Sequence, residues 1–351
     1  MWIDIAKVLT MLLVIIGHST YYAIVTDYGS INTYPHGEAE SNGYKIVSLI
    51  TSFIYSFHMP FFMAISGMTM ALSIGRAGRP GTFLKKKAKR LLIPFLSVTI
   101  FLSIPLKYCS GYWDNSTHIW SDIFLGQFLL MGNSHLWFVV SLFIISVVFY
   151  FVHQLKWDKG IIYWPLVIII SILGKQMAYT FNFFGMAGAM KNYLFFNLGF
   201  YLFEKIRKFE ISFIKTALSW IGMIALFMSQ RFFSFNIPYL NIFIYYMTAL
   251  WGCFNMVALC KLLQKIPLIA NSPIFRSLNK NSYDLYLYSD PFNYVMIFIF
   301  SIWMGYGYIT STLGSIIAYL CRIIFSIVLA YGVIWLISTT SRISKTISKK
   351  I

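Results

Sequence analysis

Six side chains able to carry charge or pass protons stand inside otherwise apolar runs: Asp4, Lys7, His18, His58, Asp290 and Arg322. Three of them share one stretch, Trp2 to Thr20. At about 100° per residue, the steps from Lys7 to His18 bring a helix back to nearly the same face, with the two side chains about 16 Å apart along the axis. Asp4, one turn before Lys7, lies on that face too. Ionisable groups inside a membrane helix are costly unless they face protein or water, and by default they mark a functional site. Neutral imidazole at His18 would serve as a general base, with Lys7 and Asp4 supporting a donor substrate. A histidine within a span can instead simply bond to a neighbouring helix, for about 0.6 to 2 kcal/mol. The charged pair on the same face favours chemistry.

His58 sits in Phe57-His58-Met59-Pro60-Phe61-Phe62, followed by Ile65-Ser66-Gly67. The proline and the glycine loosen backbone bonding and suit a helix that lines a cavity. His58 is therefore read as a second base or as an orienting partner, with a structural role left open. His135, in Ser134-His135-Leu136-Trp137-Phe138, is read as an interfacial or packing residue. Asp290 and Arg322 are supporting candidates, read first as a structural ion pair. The basic run Lys85 to Arg90, with Lys89 and Arg90, anchors topology at lipid headgroups and could also attract a phosphorylated donor such as a coenzyme A thioester.

The elements that must position these groups follow from composition. With 58% hydrophobic and only 11% charged residues in 351, the chain is far from the roughly 25% charged residues of a soluble domain. Apolar runs near bilayer length occupy 5–26, 46–74, 88–107, 136–152, 161–176, 191–204, 213–229, 240–262, 283–303 and 314–338. The fold expected is an all-α polytopic membrane bundle of about ten transmembrane helices, one domain over 1–351, with both termini cytoplasmic. An amphipathic piece, Ile119 to Met131, is too short to cross and is expected at the interface. The first run, interrupted by Lys7, is expected to remain as a span and not to be cleaved.

Charge placement tests that topology. Twenty-one of the 28 basic residues fall in the even-numbered connections and the tail, and five in the odd-numbered ones, as the positive-inside rule requires. The net charge of +17 therefore reports orientation and not nucleic-acid binding. In this topology His18 and His58 approach mid-membrane from opposite faces and could share a cavity. Cys109, Cys253, Cys260 and Cys321 show no CxxC pair or metal-ligand spacing, so neither a metal nor a resident cofactor is expected.

The segments Asp4-Ile5-Ala6-Lys7 with Gly17-His18, Phe57 to Phe62 with Ile65-Ser66-Gly67, and Lys89-Arg90-Leu91-Leu92-Ile93-Pro94 together resemble the acyltransferase-3 family of membrane acyltransferases. His135-Leu136-Trp137-Phe138, Asn197 to Tyr201 and Ser282 to Pro291 are similar to later family landmarks, in the same order. The family includes bacterial sugar and polysaccharide O-acetylases. The resemblance implies transfer of an acyl group, usually acetyl, from cytoplasmic acyl-coenzyme A to a hydroxyl of an acceptor at or beyond the outer face of the cell membrane. It implies that His18 occupies the position of the family's catalytic histidine. The arginine that commonly stands eleven residues earlier is Lys7 here, which keeps the charge but lacks the planar fork for bidentate anion recognition. The acceptor expected is an envelope carbohydrate or lipid-linked sugar, and acetyl-coenzyme A is a substrate, not a bound cofactor. The alternative is an exporter of such intermediates, with His18, His58 and Asp290 as a proton relay.

Overall fold

A computed structural model describes residues 1–21, 23–32, 40–76, 78–178, 183–232, 238–305 and 307–347. Lys349 and Lys350, two of the basic residues counted above in the tail, lie outside the described residues. Helix α1 (Trp2–His18) leads into an antiparallel hairpin of β1 (Ala23–Thr26) and β2 (Gly29–Asn32), with Thr26 opposite Gly29. The second apolar run is two helices, α2 (Asn42–Tyr55) and α3 (His58–Ser73), so His58 opens a helix instead of sitting within one. Pro60 falls in the first turn of α3, where its missing N–H would have had no helical partner anyway.

Helix α4 (Pro80–Val98) continues through a wide π turn at Thr99–Ser103 into α5 (Ile104–Cys109). The amphipathic piece resolves into α6 (Ile119–Ile123) and a second π turn, Phe124–Phe128. Next come α7 (Trp137–Gln154), α8 (Tyr163–Met177), α9 (Met186–Lys208), α10 (Phe213–Phe232) and α11 (Pro238–Leu263). The chain continues through α12 (Pro267–Asn271), α13 (Pro273–Met304), α14 (Gly307–Thr310) and α15 (Thr312–Ile347).

Among the described residues, five stretches are long and apolar enough to cross a membrane: Asn42–Arg76, Pro80–Cys109, Trp137–Gln154, Leu240–Leu263 and Thr312–Thr340. Tyr163–Met177 and Phe213–Ser229 are shorter apolar helices. The expected runs 5–26, 191–204 and 283–303 fall in α1, α9 and α13. Of these, α1 stops at His18, eight residues early. The cause is local: Ser19 Oγ donates to the Ile15 carbonyl at 2.8 Å and Thr20 Oγ1 to that of Gly17 at 2.7 Å. Ile15 still receives the Ser19 N–H at 3.1 Å, but the Thr20 hydroxyl takes at Gly17 a last-turn carbonyl that a continuing helix would have used. The outer surface is apolar, with Phe101, Ile161 and Trp303 exposed, as a bilayer-facing bundle needs.

Close helix approach is set by glycine. A Cβ at Gly67 would lie 2.0 Å from the Phe196 carbonyl oxygen, and one at Gly199 2.0 Å from that of Ala64. Helices α3 and α9 therefore touch backbone to backbone, the role small residues have between membrane helices. At the hairpin end, Ile24 and Ile31 pack with Tyr112, Trp113 and Tyr294, and Trp113 Nε1 donates to the Tyr28 carbonyl at 3.0 Å. At the opposite end, Tyr283 OH donates to the Arg90 carbonyl at 3.1 Å, and Lys261 donates to the carbonyls of Ile206, Arg207 and Phe209 that end α9.

Candidate active site

The end of α1 meets the middle of α13 and the segment that leads into α7. Their side chains form one cluster. His18 Nδ1 lies 3.0 Å from Asp290 Oδ1, and His135 Nδ1 lies 3.1 Å from Asp290 Oδ2. A single carboxylate thus serves two imidazoles, one oxygen each. The remaining nitrogen of His135, Nε2, stands 3.0 Å from the Leu287 carbonyl. Exposure separates the two rings: the His18 side chain is 16% exposed, that of His135 only 1%. Only His18 can present its free nitrogen to another molecule.

Each part of the cluster is held from behind. Arg322 on α15, wholly buried, donates to the carbonyls of Tyr21 and His18, and its Nε reaches Asn293 Oδ1 at 3.3 Å. It acts on the frayed end of α1 as a cationic cap, favourable there because the last carbonyls of a helix carry partial negative charge. The ion pair expected between Arg322 and Asp290 is thus replaced: the carboxylate goes to the histidines and the guanidinium to backbone oxygens one shell away. Tyr286 OH donates to the His135 carbonyl at 2.5 Å and fixes the backbone that carries that ring.

Tyr55 bridges the two histidines proposed from sequence. Its ring stacks on His58 at 4.8 Å and meets His18 edge-on at 6.4 Å, and its hydroxyl bonds to that of Tyr21. The approach depends on Gly17, where a Cβ would lie 2.5 Å from Tyr55 Cε1. His58 itself is buried, with Nδ1 on the Ile54 carbonyl at 2.9 Å. Nδ1–H donates there, because a carbonyl can only accept. His58 is thus placed behind Tyr55, in the second layer around His18.

The other predicted residues lie apart from this cluster. Lys7 Nζ is 3.2 Å from Asp4 Oδ1, both about two-fifths exposed, at the far end of α1. Lys89 and Arg90 are exposed on α4, at the end of the bundle opposite the hairpin. An apolar cavity of about 290 Å³ lies between α3, α9 and α11, lined by Ala64, Met68, Leu202, Phe254 and others, and shares no residue with the histidine cluster.

Two residues in the site were not proposed as functional from sequence. His135 gave two signals, its place at the start of a run and its position in one of the family-like segments, but was read as an interfacial or packing residue. Lys107, counted above as an external topology charge, is buried; it donates to Gln127 Oε1 at 2.9 Å and to the Asn133 carbonyl, beneath the rings of Tyr112 and Tyr294. Asn133 precedes His135 by two residues, so Lys107 braces the segment that carries it. Both ring nitrogens nearest Asp290 face its oxygens and not a common point, and among the described residues no group of His, Cys, Asp and Glu is disposed to hold a metal ion.

An exposed imidazole backed by a buried carboxylate is the arrangement of a general base. A family model of acyltransferase-3 type, described as an acyltransferase domain, matches residues 1–338. No curated protein and no solved structure matches the chain.

Proposed function

We propose, for a chain that belongs to the acyltransferase-3 family and is an acyltransferase of membrane-spanning type, that it moves an acetyl group from cytoplasmic acyl-coenzyme A to a hydroxyl of a cell-envelope carbohydrate or lipid-linked sugar. Family membership takes the place of the exporter alternative. The observation that supports His18 as the base is its Nδ1 at 3.0 Å from Asp290 with the ring still partly exposed. In this reading His18 Nε2 takes the acceptor's hydroxyl proton as the oxygen attacks the thioester carbonyl. The carbon–sulfur bond breaks, and the leaving coenzyme A thiolate recovers the proton from the imidazolium. Asp290 stabilises that imidazolium as it forms, a contribution of the kind the buried carboxylate of a Ser-His-Asp triad makes in hydrolases.

The donor's place follows from charge. Both termini are taken as cytoplasmic, so the end carrying Lys89 and Arg90 faces the coenzyme A pool, where exposed cations attract its phosphates. Lys7 and Asp4 stand at the other end of α1 from His18. The thioester would be delivered to His18 from the cytoplasmic side, while the acceptor enters from the hairpin end. His58 supports the Tyr55 ring rather than touching substrate.

The test uses the purified protein in liposomes with radiolabelled acetyl-coenzyme A and an envelope glycan extract. Label should enter glycan with the native chain, and His18→Ala should lower transfer about 10² to 10⁴-fold, the usual worth of a positioned base. Transfer by His18→Ala at the native rate would remove His18 from the mechanism.

A further inference from the structure

The sequence Leu287-Tyr288-Ser289-Asp290-Pro291 carries a device that neither the family match nor the proposed reaction assigns. In α13 the carbonyl of Leu287 would accept the N–H of residue 291, but that residue is proline and has none. A carbonyl left without a donor in an apolar interior is costly. Here His135 supplies one, with Nε2 at 3.0 Å.

The consequences run through the cluster in order. The Leu287 oxygen can only accept, so His135 Nε2 carries a hydrogen. Nδ1 of the same ring and Asp290 Oδ2, 3.1 Å apart, then share a second proton. Whether that proton sits on nitrogen or oxygen, Asp290 Oδ1 is left as an acceptor, 3.0 Å from His18 Nδ1. His18 Nδ1 must therefore carry the hydrogen of that contact, and Nε2 keeps its lone pair. Adding one more proton to the carboxylate would reverse this assignment. It is opposed by the cations nearby, Arg322 beside the His18 carbonyl and Lys107 beneath Tyr294, because a further positive charge in a low dielectric is unfavourable.

We propose that Pro291 and His135 are positioning residues: by leaving the Leu287 carbonyl open and then occupying it, they hold hydrogen on His135 Nε2 and fix that ring against Asp290, whose other oxygen is thereby aimed at His18. The inference rests on the reading of His18 as the base. It also accounts for a proline directly after Asp290 and for the depth of His135, which cannot itself reach a substrate.

The test is histidine ¹⁵N NMR of the full chain in detergent micelles, together with steady-state acetyl transfer, on the native protein, His18→Ala, Pro291→Ala and His135→Asn. Alanine favours a continuous helix, so Pro291→Ala folds and offers Leu287 the missing N–H. In the native protein, the resonances lost in His18→Ala should report hydrogen on Nδ1 alone, and those lost in His135→Asn should report a protonated Nε2. In Pro291→Ala, His135 should become a mixture of tautomers, with kcat down about tenfold and KM little changed. If His135 stays wholly Nε2-protonated in Pro291→Ala and kcat stays within about twofold of native in both Pro291→Ala and His135→Asn, the device is refuted although His18→Ala is inactive. If His18→Ala is itself fully active, the reading of His18 as base fails first.

Discussion

At the scale of single residues, the site is a division of labour by burial. Asp290 gives one oxygen to a ring that can meet substrate and the other to a ring that cannot. Asp290→Asn keeps the shape but exchanges one acceptor oxygen for an NH₂ donor, so one of the two imidazoles faces a donor instead of an acceptor. Acetyl transfer in that variant should fall by about 10² to 10⁴-fold with little change in KM; a rate near native, measured with labelled acetyl-coenzyme A, would show that the carboxylate is not the partner of the base. Lys89 and Arg90 act differently, because both are exposed and separate from the histidines. Lys89→Gln with Arg90→Gln should raise KM for acyl-coenzyme A severalfold and leave kcat nearly unchanged, and raising the salt should erase most of the difference, as screening weakens exposed charges. Equal losses in kcat would place these cations elsewhere in the mechanism. His18 and His58 were both legible from sequence because an imidazole in an apolar run is conspicuous. Which one reaches solvent was not: that depends on Tyr55, brought beside His18 only because Gly17 leaves room for its ring.

At the scale of elements, the helix that carries His18 is kept in place from its end. Ser19, Thr20 and Arg322 occupy the last carbonyls of α1, and the hairpin that follows packs on Tyr112, Trp113 and Tyr294. This is why α1 ends at His18 and the apolar run continues past it: hydropathy records solubility in lipid, while a helix end is decided by which groups take its carbonyls. The contact of α3 with α9 is the tightest constraint on the bundle. Gly199→Leu should drive a side chain into the Ala64 carbonyl and destabilise the fold by about 3 kcal/mol or more, beyond the usual range for an overpacked core. Thermal unfolding in detergent would show it as a clear fall in Tm, and an unchanged Tm would mean that the two backbones do not meet there. Helix α13 illustrates the opposite case, where a proline within a helix is stabilised from outside by His135 instead of breaking it.

At the scale of the whole molecule, an apolar exterior surrounds the histidine cluster, while Asp4 and Lys7 pair at the other end of α1. Topology can be measured directly. With the four native cysteines replaced, Thr117→Cys should react in intact cells with a thiol reagent that does not cross membranes, whereas Lys159→Cys should react only after the membrane is opened; the reverse pattern would invert the assignment of both faces and with it the donor's side. The sequence alone determined the membrane class and the helical architecture, because composition and the rarity of charge within apolar runs are properties of the chain read one stretch at a time, and its resemblance to the acyltransferase-3 family supplied the kind of chemistry. It also marked His18 and Asp290, two of the three members of the cluster. Only the tertiary structure decided that they meet, that His135 joins them, that Arg322 goes to backbone oxygens, and that Lys107 is a buried brace rather than a surface charge. Those facts depend on contacts between residues as far apart as His18 and Asp290, and helical periodicity reports the face of a helix but not the neighbour that covers it.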